Sequence, residues 1–432
     1  MPDTPRKASL LVVFLIVFID LIGFGIVLPL LPLYAEHFKP ENPGLTIGLL
    51  MASFSAMQFL FAPMWGRLSD RIGRRPVLMI GLAGSVVFYL LFAVASTAES
   101  LALLFLSRIG AGIAGATIST AHAYIADVTS LENRTKGMAL VGAAFGLGFT
   151  FGPMFAWLAV DIEGQGLGPG PGYAASALSA VALLLAWFRL AESLKPGQPH
   201  AARKWFDFNS LAQACRIPSV GLLLLTSFIC VFSFGNFEST LSLTLRERFD
   251  FGIREICQTF AFIGIVLMLV QGGIVRRFAG KVRETVLAAF GALLEIFGFS
   301  MLCLAGAEYT RGVLMLSLAI IVSGFAFITP SLNALISRRS DPARQGSILG
   351  VAQSISSLAR ILGPMFAVPL LYWNQPLNAD GSRELSSAPF WLGIALMCVG
   401  LVLVIVADTR GRDYPGAAAR PIEPTAGMES EL

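Results

Sequence analysis

The chain has 432 residues, of which 55% are hydrophobic and only 13% are charged, and its mean hydropathy is +0.73. Soluble domains carry about 25% charged residues, so no compact soluble shape has enough polar surface for this composition. The composition excludes a soluble enzyme and a disordered chain, and it indicates a protein within the lipid bilayer. The net charge of +4 is small, which argues against a nucleic-acid partner. Five cysteines without a Cys-x-x-Cys pair and three histidines predict no metal site.

Twelve mainly apolar stretches are each long enough to cross a bilayer, which takes about 20 residues. They begin near residues 10, 47, 77, 101, 137, 173, 219, 256, 285, 312, 347 and 388. Arg6 and Lys7 precede the first stretch, as they would in a signal peptide. The stretch continues past Asp20 to Tyr34 without a small-residue cleavage site, so we expect an uncleaved first helix.

The distribution of basic residues predicts the orientation of these helices. With the N-terminus inside, 23 of the 31 lysines and arginines fall in inner loops and 6 in outer loops. Arg108 and Arg360 lie within helices. We therefore expect a multi-pass protein of the cell membrane, inner or plasma, with both termini in the cytoplasm.

An internal repeat divides the chain into two halves. The sequence GPMFA occurs at Gly152–Ala156 and again at Gly363–Ala367, 211 residues later, and Phe24-Gly25 is echoed by Phe234-Gly235. Repeats at half the chain length indicate two six-helix bundles in the same orientation. The predicted fold is an all-α integral membrane protein of twelve transmembrane helices in two pseudo-symmetric six-helix bundles. We expect the domains to be 1–190, a cytoplasmic linker 191–218, a second bundle 219–407 and a disordered cytoplasmic tail 408–432.

The loop after the second helix reads GRLSDRIGRRP from Gly66 to Pro76. Its glycines allow a tight reversal, and Asp70 can accept hydrogen bonds from arginines or a helix N-terminus. This pattern resembles the GxxxDRxGRR loop of the major facilitator superfamily, which implies that family's fold and a cytoplasmic gate. The alternative is that the arginines only fix topology. Asp127, at the inner end of helix four, is expected to pair with an arginine of this loop, such as Arg71. The candidate gate comprises Gly66, Asp70, Arg71, Gly73, Arg74, Arg75 and Asp127.

Helix five contains closely spaced small residues and one proline: Gly142, Gly146, Gly148, Gly152 and Pro153. Small residues one turn apart let another helix approach, and proline permits a bend. The spacing resembles the GxxxGxGxxxGP element of the family's drug/proton antiporters. Generic close packing is the alternative interpretation.

Ionisable side chains inside predicted helices are candidates for proton coupling. Asp20 lies mid-helix, where a charge costs at least about 2.5 kcal/mol, so it should face the bundle interior and have a partner. Arg108, at a similar depth in helix four, is the expected partner, and its surroundings resemble the family's RxxxG element, which is implicated in proton coupling. A purely structural ion pair is the alternative. Glu295 in helix nine and Glu238 in helix seven follow as further candidates, because a buried carboxyl group exchanges its proton nearer neutral pH.

A central substrate cavity is expected between the two halves. The amides Asn333 and Gln353 are the stronger candidates for its lining, because burying an amide in lipid without a partner is costly. The aromatic residues are more typical of ordinary packing or lipid contact. The candidate lining residues are Phe54, Met57, Gln58, Phe61, Phe234, Asn236, Phe237, Asn333 and Gln353.

Three stretches are similar to tetracycline/proton antiporters and their twelve-helix drug-exporting relatives: DLIGFGIVLPLLP, MQFLFAPMWGRLSDRIGRRPVL and GAAFGLGFTFGPM. Phe88 stands where those exporters have an aspartate in helix three, which counts against a tetracycline–metal chelate as cargo. Glu295 stands roughly where they have an aspartate in helix nine.

The resemblance implies a monomeric secondary transporter that exports a small amphiphilic molecule in exchange for protons by alternating access. Its energy would come from the proton gradient, with no cofactor. A proton-coupled symporter or a uniporter for a nutrient or metabolite is the alternative. A membrane enzyme is not expected, because the sequence offers no cofactor motif, no cluster of catalytic residues and no sizeable domain outside the membrane.

Overall fold

The structure is a computed structural model that describes residues 4–129, 134–160, 167–194, 217–278, 280–304, 310–340, 345–373 and 385–410. The described residues form helices and no β-strand. The predicted linker lies mostly outside them, and so does the predicted tail beyond residue 410.

Twelve helices, numbered here α1 to α12, run back and forth across the described part of the molecule. Their bounds are α1 Thr4–Val27 with a continuation Leu31–His37, α2 Pro43–Ile72, α3 Arg74–Thr97, α4 Leu101–Gly115 with Ile118–Val128, α5 Arg134–Ala159, α6 Gly170–Arg189, α7 Pro218–Phe249, α8 Ile253–Leu269, α9 Glu284–Cys303, α10 Arg311–Arg338, α11 Gln345–Leu371 and α12 Ala388–Arg410. A π-helical turn Val270–Val275 and a short helix Arg276–Phe278 extend α8.

The predicted spans are confirmed. Eleven of these helices are long and apolar enough to cross a membrane within the described residues, and α5 contributes the shorter apolar stretch Gly146–Ala159. Helices α1 and α8 are irregular. The first segment of α1 ends at Val27, just before Pro29, which has no N–H to continue the helical hydrogen bonds. The π-helical turn after α8 contains Gly272 and Gly273.

Helix pairing in the first half is repeated in the second, which confirms the internal repeat. The pairs α1–α5, α1–α6, α3–α4 and α3–α6 correspond to α7–α11, α7–α12, α9–α10 and α9–α12. The repeated sequence explains the first of these pairs. A Cβ atom placed on Gly152 would lie 2.5 Å from Gly25 Cα, and one on Gly363 would lie 3.1 Å from Gly235 C. The same glycine pair therefore lets two helices meet backbone to backbone in each half.

The two halves touch through α2–α11 and α5–α8. A Cβ on Gly44 would lie 3.0 Å from Pro369 Cα, and Tyr372 donates a hydrogen bond to Glu36. These contacts lie where α2 begins and α11 ends. We call this side the closed face, and we call the other side, which carries the loop between α2 and α3, the basic face.

Towards the basic face the same helices are less tightly packed. A Cβ on Gly146 of α5, or on Gly272 or Gly273 beyond α8, would meet nothing within 4 Å among the described residues. Gln353, two turns into α11, is exposed. Within the residues that the structure describes, the halves therefore meet at the closed face and part at the basic face.

Candidate functional site

A cluster of charged side chains surrounds Arg74 at the start of α3. Arg74 is 5% exposed, and its guanidinium lies 2.5 Å from Asp70 and 3.1 Å from Asp127. Its Nη1 also donates to Ser69 Oγ at 2.6 Å. Two carboxylates and a hydroxyl thus satisfy the buried guanidinium. Asp127 therefore pairs with an arginine of the predicted gate, as expected, but this arginine is Arg74. The example residue Arg71 is wrong, because Arg71 is exposed and makes no ion pair with a described residue.

The carboxylate of Glu192, just beyond α6, binds the first turn of α3. It accepts hydrogen bonds from the backbone N–H of Arg74 at 2.9 Å and of Arg75 at 3.1 Å. Because N–H groups at a helix start carry partial positive charge, a carboxylate there is stabilising. Ser193 then donates its hydroxyl to Asp127 at 3.1 Å. The cluster joins α2, α3, α4 and the end of α6, so the contacts of the predicted gate in the described residues stay within the first half.

The two loop glycines have different roles. Gly73 has a φ of +105°, and a Cβ there would overlap the Glu192 carboxylate, so this position requires glycine. Gly66 lies inside α2, and a Cβ there would lie 3.9 Å from Ser119 Oγ. The prediction that Gly66 contributes to the tight reversal is therefore wrong. In the second half, Arg277 stands in place of the aspartate and is exposed.

Asp20 lies in the middle of α1 and faces α6 and α3. Ser179 Oγ donates to Asp20 Oδ1 at 3.3 Å, and the Ser85 hydroxyl is a second hydrogen-bonding partner. A cavity of about 20 Å³ lies beside Asp20 among residues of α1, α3 and α4. Such a cavity is large enough for about one water molecule. Asp20 therefore has polar partners and a small space at its side, but no cation in contact among the described residues.

The predicted ion pair between Asp20 and Arg108 is absent from this conformation. Arg108 is 2% exposed, and its guanidinium carbon lies 4.6 Å from the centre of the Phe54 ring and 5.9 Å from that of Phe24. Its Nε has no hydrogen-bond partner in the part of the chain that the structure describes. Cation–π contact with the two rings takes the place of the carboxylate. Tyr89 lies within electrostatic range of both Asp20 and Arg108, so the two charges occupy one neighbourhood without touching.

Glu295 is fully buried in α9. Its exposure is 0%, and neither carboxylate oxygen has a hydrogen-bond partner among the described residues. The side chain packs against α10, where a Cβ on Gly324 would lie 2.7 Å from Glu295 Cγ. No cation of the described residues lies within ion-pair distance of it, and a buried carboxylate without a partner is among the costliest groups in a protein interior.

A polar stripe on α11 includes a cation close to Glu238. Gln353, Ser357 and Arg360 recur at spacings of four and three and therefore share one face of the helix. The opposite face carries Leu358 and Phe366, which are 42% and 55% exposed, as expected of lipid-facing residues. The polar stripe thus faces the space between the halves. Arg360 is exposed there, donates to Ser357 Oγ at 3.4 Å and interacts electrostatically with Glu238 of α7.

Part of the predicted cavity lining belongs to the protein core instead. Phe54 is 8% exposed, and Asn236 and Phe237 are each 1% exposed. Phe54 packs on Arg108, Asn236 donates to Pro389 O of α12 at 2.6 Å, and Phe237 contacts the Phe299 ring. These three predictions are wrong. The remaining candidates are exposed or half-buried: Met57, Gln58, Phe61, Phe234, Asn333 and Gln353.

The α5 glycines pack against α1 only in part. A Cβ on Gly148 would lie 2.7 Å from Leu21 Cβ, and Gly152 meets the backbone of Gly25. A Cβ on Gly146 would meet no described atom within 4 Å, so the predicted packing role of Gly146 is wrong. The surroundings of Gly142 lie outside what the structure describes, and Pro153 stands within the continuous helix.

Known proteins resemble this chain over most of its length. The model of the Major Facilitator Superfamily matches residues 13–364. The class C tetracycline resistance protein of Escherichia coli is 32% identical over 406 residues, covering 92% of this chain and 95% of the relative. Major facilitator superfamily domain-containing protein 10 of Mus musculus is 30% identical over 426 residues, covering 86% and 90%. The crystal structure of the human organic anion transporter MFSD10 (TETRAN) superposes with a TM-score of 0.67 at 29% identity, covering 94% of this chain and 100% of that one.

Proposed function

The chain belongs to the Major Facilitator Superfamily, a family of membrane transporters, and we propose that it exports a small amphiphilic molecule in exchange for protons. The observation that supports this proposal is the contact between the two halves along α2–α11 and α5–α8, which we call the seam. Among the described residues, the halves are in contact at the closed face and separated at the basic face. Rocking the two halves about this seam exposes a central site to one side at a time. Transport by alternating access, rather than an enzymatic reaction, uses this geometry.

We propose that Glu295 and Asp20 carry the protons. An ionised carboxylate enclosed without a cation costs several kcal/mol, so proton uptake relieves that cost when water is excluded. Glu295 is enclosed in this conformation, whereas Asp20 adjoins the cavity of about 20 Å³. In the cycle we propose, a carboxyl takes its proton from the outer side as cargo leaves, and gives it up on the inner side before cargo binds again.

The orientation follows from the distribution of basic residues. We propose that the basic face is cytoplasmic and that the protein is a monomer in the cell membrane with both termini inside. The conformation described here is then open to the cytoplasm. The proton gradient supplies the energy, so the proposed cycle requires no bound cofactor.

Arg360 supports a second candidate, the transport of organic anions. It presents a guanidinium to the space between the halves, where a carboxylate or sulfonate would be attracted to it. The similarity to a protein described as an organic anion transporter favours the same reading. Replacement Arg360→Gln should abolish anion transport and spare cationic drugs, while Arg360→Lys should keep part of the anion transport. Equal loss with both kinds of cargo would remove the basis of this candidate.

The test of the main proposal is a cargo panel in proteoliposomes with an imposed pH gradient. The panel contains amphiphilic cations, amphiphilic anions and tetracycline. Cargo accumulation in oriented vesicles with an acidic interior supports antiport, because protons leave as cargo enters. Accumulation in vesicles with an acidic exterior supports the symport alternative, because protons and cargo enter together. Failure of every cargo to respond to either gradient direction would reject proton coupling. The same panel is run on Glu295→Gln and Asp20→Asn. Glu99→Gln, which removes an exposed carboxylate, is the matched control for these two variants.

A further inference from the structure

A cavity of about 450 Å³ opens at the basic face of the second half. The start of α9, the segment before it and the ends of α10 and α12 line this cavity, so it lies outside the seam helices. We call it the α9–α12 pocket. Four cations and two acids line it, which is a surplus of two positive charges. The charged residues are Lys281, Arg283, Arg338, Arg339, Glu284 and Asp408.

Ion pairs hold the walls of the α9–α12 pocket in place. Arg283 lies 2.7 Å from Asp408, and Arg338 lies 2.9 Å from Glu284. Asp408 also accepts the Thr285 hydroxyl at 2.8 Å. These contacts join the start of α9 to α10 and α12 and fix the positions of Arg283 and Arg338 at the cavity. A fixed arrangement of cations lowers the entropic cost of binding an anion.

The corresponding place in the first half shows what such a pocket accepts. There, the Glu192 carboxylate occupies the start of α3 and binds two backbone N–H groups. In the second half, no described side chain caps the backbone N–H groups at the start of α9, and Asp408 binds the side chains of Arg283 and Thr285 instead. The N–H groups that bind a carboxylate in the first half thus lie, in the second half, beside a cavity with a surplus of cations.

We propose that the α9–α12 pocket binds the phosphate group of an anionic ligand, supplied by a phospholipid of the adjoining leaflet or by a soluble phosphate. Arginine and lysine are the usual donors to phosphate oxygens. Basic pockets between helices at the cytoplasmic side suit anionic headgroups. An apolar surface begins within one turn of the pocket, since Val286 and Phe290 of α9 are 51% and 47% exposed and Ile405 of α12 is 51% exposed. That surface would take the acyl chains of a bound lipid.

The test measures binding to the purified full-length protein in a neutral detergent. The probes are phosphatidylglycerol, phosphatidylcholine and inorganic phosphate, and the readouts are lipid adducts in native mass spectrometry and the melting midpoint. The double variant Lys281→Gln/Arg338→Gln should bind phosphatidylglycerol about tenfold more weakly. Lys281→Gln alone should weaken binding as well, and it changes an exposed residue that makes no ion pair with a described side chain. Arg276→Gln/Arg277→Gln removes two exposed charges of the same face outside the pocket lining and is the matched control.

Each outcome has a distinct meaning. Retention of phosphatidylglycerol by the wild type and the control, with loss in the pocket variants and no competition by inorganic phosphate, supports the lipid as the source. Competition by millimolar inorganic phosphate supports a soluble source for the same site. Equal binding of phosphatidylglycerol and phosphatidylcholine, or equal binding by the pocket variants and the control, would overturn the proposal. Because cargo transport is not the readout, the result stands apart from the proposed function.

Discussion

Replacement of Arg74 by alanine should destabilise the first half strongly. The change removes a guanidinium that is 6% exposed in its side chain and leaves Asp70 and Asp127 facing each other without a cation. Breaking a buried pair from one side costs about 3–5 kcal/mol. The two carboxylates keep 20% and 27% of their exposure, so water solvates them in part, and we expect the lower end, about 3 kcal/mol.

The assay is thermal unfolding of the purified protein, followed by circular dichroism at the helical band. A loss of about 3 kcal/mol corresponds to a fall of roughly 6–12 °C in the melting midpoint of a unit the size of one half. Arg71→Ala is the control, because it removes an arginine of the same loop that is exposed and should change stability by less than about 0.5 kcal/mol. If Arg74→Ala melts no earlier than Arg71→Ala, the cluster does not stabilise the fold.

Two further pairs of variants test the packing. Gly73→Ala should cost about 1–3 kcal/mol, because its φ is +105° and the new methyl group overlaps a carboxylate, whereas Gly66→Ala should melt like the wild type. Equal melting midpoints for the two variants would contradict this assignment. Gly264→Ala places a methyl group 2.5 Å from the backbone of α5 and should open the closed face, measured as faster labelling of a Trp157→Cys variant by an impermeant maleimide. Gly272→Ala has open space around it and should not change the labelling; an increase there, or none at Gly264, would refute the seam.

Hydropathy predicted the helices because each stretch is apolar over the length that a bilayer requires. The repeat was also readable, since Gly25 with Gly152 and Gly235 with Gly363 make the same contact in each half. These features depend on residue type along the chain and need no knowledge of how a helix is rotated.

The direction of a side chain around its helix axis was not readable from the sequence. Asp20 and Arg108 were matched by depth, but the structure turns Asp20 towards Ser179 and Arg108 towards Phe54. In a helix that is apolar on all sides, the sequence pattern carries little information about rotation. Glu192 was missed for another reason, because its contact with Arg74 spans 118 residues of sequence. The only sequence feature that pointed to Glu192 was its position, as an acidic residue directly after the sixth membrane span.

If the carboxyl groups of Glu295 and Asp20 couple cargo movement to protons, cargo transport must be accompanied by a proton flux, which can be measured. Proteoliposomes containing a pH-sensitive dye receive a transported cargo in the absence of any other gradient. We expect proton movement opposite to the cargo in the wild type and in Glu99→Gln, and none in Glu295→Gln or Asp20→Asn, while both of these variants still exchange labelled for unlabelled cargo. Proton movement of undiminished size in Glu295→Gln and Asp20→Asn would refute proton coupling through these carboxyl groups.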